Sequence, residues 1–109
     1  MQDMLTPLVD RDLKDMILDA KDKGTSLEIL GHGTKRMIGR YSEKNVPLTM
    51  RRFSEVTLYE PSELVLSARA GTPIAEVERE LKSYDQHLPF EHLDFSKLFE
   101  TEPGYGTIG

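Results

Sequence analysis

The first hydrophobic period along the chain is helical. Leu13, Met16, Ile17 and Ala20 recur at the spacing of one helix face, while Asp and Lys fill the other. This predicts an amphipathic surface helix with Thr6 or Asp10 as its N-cap, Pro7 suited to its first turn and Gly24 as its stop. The period then falls toward two. Residues 26–30 read as a short strand that runs into a glycine loop, and residues 47–50 as a second strand. Residues 55–59 alternate as a half-exposed strand should, and Pro61-Ser62-Glu63 turns the chain. Residues 64–69 are more continuously apolar, which predicts a buried central strand. Helical spacing returns at Ile74, Val77, Leu81 and Tyr84, with Pro73 placed to begin the helix. Glu76, Glu78 and Glu80 lie in its first half, where two of them favour the helix dipole. Leu88-Pro89-Phe90 reads as a short extended piece, and from Glu91 the pattern breaks up until a glycine-rich end. This mixed order supports an α+β or α/β layer architecture.

Composition narrows the chemistry. The 109 residues amount to one domain's worth of chain and contain no cysteine. A disulfide framework, a thiolate zinc site, a cysteine-ligated iron–sulfur cluster and a cysteine nucleophile are therefore excluded within it. Fourteen Lys and Arg against 19 Asp and Glu leave a net charge of −5. That balance, with no basic stripe interleaved by aromatics, argues against a nucleic-acid partner. No apolar run has the length of a membrane span, and Met1-Gln2-Asp3-Met4 lacks the basic start of a signal peptide. A cytoplasmic protein is expected.

Gly31-His32-Gly33-Thr34-Lys35 is the sharpest local motif. Glycines at 31 and 33 allow a tight turn and close approach to a ligand. Successive N–H groups there can form an anion nest, to which Thr34 and Lys35 add a hydroxyl and a cation. The motif is neither a dinucleotide fingerprint, since Arg36 holds the third glycine position, nor a Walker loop. By spacing alone it is either a phosphate-binding loop or an ordinary strand-to-loop turn. His32 either faces a ligand or stands in solvent. His87, Glu91, His92 and Asp94 match no metal template and read as surface polar residues, so no metal is predicted. The pairs Lys35-Arg36 and Arg51-Arg52 read as solvated surface. No nucleophile elbow occurs, and no carboxylate is marked as a general acid or base, so catalytic residues stay unassigned.

The order of several segments carries a resemblance across nearly the whole chain. They are Leu27-Glu28-Ile29-Leu30-Gly31-His32-Gly33-Thr34-Lys35, Ile38-Gly39-Arg40, Glu76-Val77-Glu78, Leu88-Pro89-Phe90-Glu91 and Gly106-Thr107-Ile108-Gly109. The most specific is Tyr59-Glu60-Pro61-Ser62-Glu63-Leu64-Val65-Leu66-Ser67-Ala68-Arg69-Ala70-Gly71-Thr72-Pro73. With these blocks the chain resembles the PCMH-type, vanillyl-alcohol-oxidase-like FAD-binding family, and within it the FAD-binding subunits of bacterial glycolate oxidases.

The resemblance implies an α+β lobe, a small mixed or parallel sheet flanked by helices. Residues 1–109 would be the N-terminal lobe of a two-lobe FAD domain, with 1–24 its helical entry, 25–109 its sheet lobe and the chain cut where a second cofactor loop begins. Gly31, His32, Gly33, Thr34 and Lys35 would hold the FAD pyrophosphate. Gly71, Pro89, Phe90, Thr107, Ile108 and Gly109 would lie near the cofactor. Relatives often carry glycine at the position of His32, so its side chain is expected to point away from the pyrophosphate. Thr34 stands where some relatives attach flavin through histidine, which implies non-covalent FAD. The implied activity is oxidation of glycolate or a similar 2-hydroxy acid. The implied partners are a second FAD-containing subunit and an iron–sulfur subunit, through which the protein could associate with a membrane. The competing expectation is a non-catalytic interaction lobe that binds no flavin by itself. Half a cofactor site offers few contacts, so weak or absent FAD retention is expected of the isolated chain.

Overall fold

A computed structural model of the chain describes residues 4–34, 36, 44–90 and 106–109. Helix α1 (Asp10–Lys23) ends where expected, at Gly24 in the left-handed conformation (φ 66°), whose N–H caps carbonyls of the last turn. Its start differs. Val9 is the N-cap and supplies no side-chain cap, Asp10 is already helical, and Pro7 is buried ahead of the helix. The cause lies upstream: Leu5 N–H donates to the Pro47 carbonyl (2.8 Å) and Thr49 N–H to the Leu5 carbonyl (2.9 Å). Those bonds hold the chain extended beside a strand, so the helix begins only after the proline. Leu8 N–H is taken up by the Asp12 carboxylate (3.1 Å).

Strand β1 (Leu27–Leu30) pairs in parallel with β2 (Val46–Thr49), Leu27 opposite Val46 and Leu30 opposite Thr49. Leu5 bridges the other edge of β2. Strand β2 is thus central, which explains why Pro47, Leu48 and Thr49 are all buried while Ile29 on β1 is 59% exposed. Strand β3 (Val56–Glu60) pairs antiparallel with β4 (Val65–Ala68) through a 3₁₀ turn, Pro61–Glu63. The expectation of a buried central strand at 64–69 is corrected here. Among the described residues β4 pairs only with β3, and Leu64 and Val65 are 80% and 46% exposed. Among the described residues this two-stranded ribbon leaves each strand an unpaired edge, and the continuous apolar run of β4 lines the cleft described below.

Helix α2 (Ile74–Lys82) follows Pro73, and Ile74, Val77 and Leu81 form its buried face. Tyr84 lies past the helix end, exposed, and meets Tyr59 edge-on with centroids 5.3 Å apart. Residues 88–90 form no strand. The α+β class holds, with two small sheets among the described residues, one parallel and one antiparallel.

The two sheets meet at a backbone junction. Met50 N–H donates to the Leu30 carbonyl (2.7 Å), Phe53 N–H to Met50 (2.8 Å) and Gly71 N–H to Phe53 (2.8 Å). A Cβ on Gly71 would collide with the Met50 carbonyl and lie 2.9 Å from that of Phe53. The buried Thr72 clamps the same junction: its Oγ1 accepts from Glu55 N–H (3.0 Å) and donates to the Glu55 carbonyl (3.3 Å). Arg69 covers the Phe53 ring at 4.5 Å.

Two outcomes are expected in urea unfolding. Leu48→Ala costs about 2–5 kcal/mol, whereas Ile29→Ala stays within about 0.5 kcal/mol. Gly71→Ala destabilises more than Gly31→Ala, because the obstruction at 71 is backbone and that at 31 is the Thr107 side chain. Equal losses at the two glycines would mean that the junction is not the tighter contact.

Candidate functional site

The glycine loop leaves β1 at the end where β2 also finishes. The buried Thr49 anchors it, donating from Oγ1 to the Gly31 carbonyl (2.6 Å) and accepting from Arg51 N–H (3.2 Å). Gly33 takes a left-handed conformation (φ 77°), and a Cβ built there meets nothing within 4 Å. The Cβ side of Gly33 is therefore open, while its carbonyl accepts from Arg36 N–H (3.3 Å). Arg36 returns to β1, its guanidinium bound to the Glu28 carboxylate at 2.9–3.3 Å. Both side chains are largely covered. The basic pair at 35–36 is thus only in part the solvated surface that composition suggested, since Arg36 buttresses the loop. Lys35 lies outside the described residues.

Residues 106–109 lie antiparallel to 70–74. Ile74 N–H donates to Gly106 (2.6 Å), Ile108 N–H to Thr72 (3.0 Å) and Gly109 N–H to Ala70 (2.9 Å). Gly109 has no room for a Cβ, which would come within 2.7 Å of that of Ala70. Thr107 packs against Gly31, whose missing Cβ makes the space. Alternation along this extended piece then separates two environments. Thr107 and Gly109 line a polar cleft of about 290 Å³ together with Gly31, His32, Gly33, Thr34, Glu28 and Arg36. Ile108 lines an apolar cleft of about 640 Å³ with Tyr59, Leu66, Val77, Leu81, Pro89 and Phe90. Gln86 closes one end of it, accepting from the Tyr59 hydroxyl and donating to the Pro61 carbonyl (2.9 Å).

The structure thus brings Gly31, His32, Gly33, Thr34, Thr107 and Gly109 together, and gathers Pro89, Phe90 and Ile108 in a second place. Gly71 lines neither cleft; its requirement for glycine comes from the sheet junction. His87 lines the apolar cleft, while Glu91, His92 and Asp94 lie outside the described residues. Among the described residues no three His, Asp or Glu stand close enough to hold a metal ion. No helix of the described residues is long and apolar enough to cross a membrane.

Sequence reasoning missed Arg51, Glu28 and the apolar cleft. Glu28 carried a usable signal, since a carboxylate within a Leu-Glu-Ile-Leu strand beside a glycine loop needs a cation nearby. Arg51 lines a smaller cleft of about 160 Å³ on which His32, Gly31, Gly33, Arg36 and Thr49 also converge. His32 is therefore among the residues lining both clefts. Partial burial lowers the imidazole's proton affinity below its usual value, and the Arg51 charge lowers it further. Glu76 opposes both.

Against this geometry the chain can be compared with known proteins. Residues 4–98 match the model of the FAD binding domain. The chain belongs to this FAD-binding family. It is also similar to the glycolate oxidase subunit GlcE of Escherichia coli (strain K12), with 35% identity over 79 residues. That match covers 72% of this chain and 22% of the subunit, so the chain spans about a fifth of its relative's length. As a member of a flavoprotein family, the chain has in its glycine loop and flanking clefts a candidate cofactor site.

His32 provides a solution test. In NMR titrations its imidazole changes charge below pH 6.5, Arg51→Ala moves the midpoint up and Glu76→Gln moves it down. The folded loop binds the proton less well than the unfolded chain. His32 therefore favours the folded state above pH 6.5, and that contribution is lost as the pH falls through its folded value. A midpoint unmoved by Arg51→Ala would remove the guanidinium as a cause.

Proposed function

We propose that the chain is the FAD-binding lobe of a flavoprotein subunit that takes part in oxidising glycolate, or a similar 2-hydroxy acid, to the 2-oxo acid. The observation that carries this reading is the polar cleft, which Gly33, with open space where a Cβ would stand, lines together with Thr107 and Gly109 of the extended end segment. The residues present fit a diphosphate. Gly33 can be approached without steric obstruction, Thr34 adds a hydroxyl, and Lys35 adds a cation in the sequence. A volume of about 290 Å³ suits the diphosphate and not the whole dinucleotide. The apolar cleft beyond Ile108 offers Phe90 and Pro89 to a ring system. Thr34 stands where some relatives of the family attach flavin through a histidine, which supports a non-covalently held cofactor.

Bound FAD supplies hydride and electron transfer. The chain's own residues bind and orient: the loop at 31–35 holds the diphosphate, Arg36 keeps the loop against β1 through Glu28, and the extended 106–109 segment separates polar from apolar ends. The similarity to a glycolate oxidase subunit supports the 2-hydroxy acid as substrate. The family resemblance supports a second FAD-containing subunit and an iron–sulfur subunit as partners. Loss of two electrons and two protons from the hydroxy acid needs such an onward acceptor, and no cysteine of this chain can ligate a cluster.

Phe90 and Ile108 are 58% and 42% exposed, so this lobe alone offers the cofactor one open wall. FAD titrated into the 109-residue chain, followed by flavin fluorescence, should bind weakly and reversibly. Gly33→Val should lose binding, since a β-branched residue at that φ costs about 1–2 kcal/mol or more and reshapes the loop. FAD binding unchanged in Gly33→Val would make the loop an ordinary turn. No detectable binding at millimolar FAD would favour the non-catalytic interaction lobe.

A further inference from the structure

The glycine loop holds a titratable side chain between its two glycines. His32 lines the polar cleft with Gly33, Thr34 and Thr107, and the smaller cleft with Arg51. A backbone nest attracts an anion through fixed partial charges that do not vary with pH. A side chain that gains a full charge as the pH falls adds a term that does.

We propose that His32 makes diphosphate binding at the glycine loop proton-linked, with the imidazolium form holding the anion more tightly than the neutral form. This rests on the reading of the loop as the diphosphate site. Charges on other elements act on His32. Arg51, in the turn after β2, disfavours the imidazolium, and Glu76, on the first turn of α2, favours it. Arg36 shares both clefts, but its guanidinium is bound to Glu28 on β1. In the free protein burial and Arg51 outweigh Glu76, and the imidazole's proton affinity is lowered. A diphosphate diester brings two negative charges to the cleft wall on which His32 stands, so occupancy raises the imidazole's proton affinity. By linkage, protonation must then raise affinity for the diester by the same factor. The consequence is a loop that grips its ligand harder as the pH falls below neutrality.

ADP-ribose is a suitable probe, because both of its phosphates are esterified and keep constant charge near neutral pH. It also does not depend on the apolar cleft. Binding to the 109-residue chain is followed by amide shifts at Gly31 and Gly33, and the His32 titration is recorded with and without ligand. ADP-ribose should bind about tenfold more tightly at about pH 5.5 than at about pH 8, matching a rise of about one unit in the His32 midpoint. In His32→Asn and His32→Gln the affinity should vary less than about twofold over the same range. Amide shifts at the loop with an unmoved His32 midpoint would overturn the linkage and leave the diphosphate site standing. The same follows if the pH dependence survives in both variants. Absence of loop shifts at any pH would overturn the diphosphate site itself, and the linkage with it.

Discussion

Everything that places the two clefts depends on the backbone contact between Gly71 and the turn at 50–53. A run of main-chain hydrogen bonds passes from Leu30 to Met50, to Phe53, to Gly71. It ties the parallel sheet to the antiparallel ribbon with no intervening side chain. Such a contact is possible only where one partner lacks a Cβ, since one at position 71 would overlap the Met50 carbonyl. The buried Thr72 hydroxyl adds its two bonds to Glu55, so the polar groups at this junction are satisfied inside the protein. With that turn set, Ala70, Thr72 and Ile74 present the groups that hold residues 106–109.

Residues 106–109 convert this junction into a site. One extended segment, seated by three hydrogen bonds, puts Thr107 on the glycine loop and Ile108 in the apolar cleft. The alternation of an extended chain is enough to divide a polar from an apolar environment, which is what a ligand with a charged middle and a ring system requires. The loop is stiffened from the other side by Thr49 and by the Glu28–Arg36 pair. A partly buried pair of this kind contributes more through the loop position it enforces than through net stability.

Much of the secondary structure was readable locally. Gly24, Pro73 and the spacing of Ile74, Val77 and Leu81 specify helix boundaries and one buried face without help from elsewhere. What the local pattern left out was set by long-range pairing. The cap of α1 and the centrality of β2 both follow from Leu5 bridging Pro47 and Thr49, a pairing between residues some forty positions apart that no local pattern encodes. The apolar run at 64–69 looked central because it faces a cleft, not because it has neighbours on both sides.

The sequence by itself determined a mixed helix-and-strand chain, α+β or α/β, with a glycine loop capable of receiving an anion, because glycine spacing, proline placement and hydrophobic period act over a few residues. Resemblance of its segments in order pointed to FAD-binding proteins, with which the family match agrees. Only the tertiary structure decided the rest. It separated Gly71, needed for packing, from Gly31 and Gly33 on the cleft, and gave Arg36 and Arg51 different tasks. It also set His32 between Arg51 and Glu76. Those assignments depend on which distant backbones and charges come within a few ångströms of one another, and that distance is created by folding.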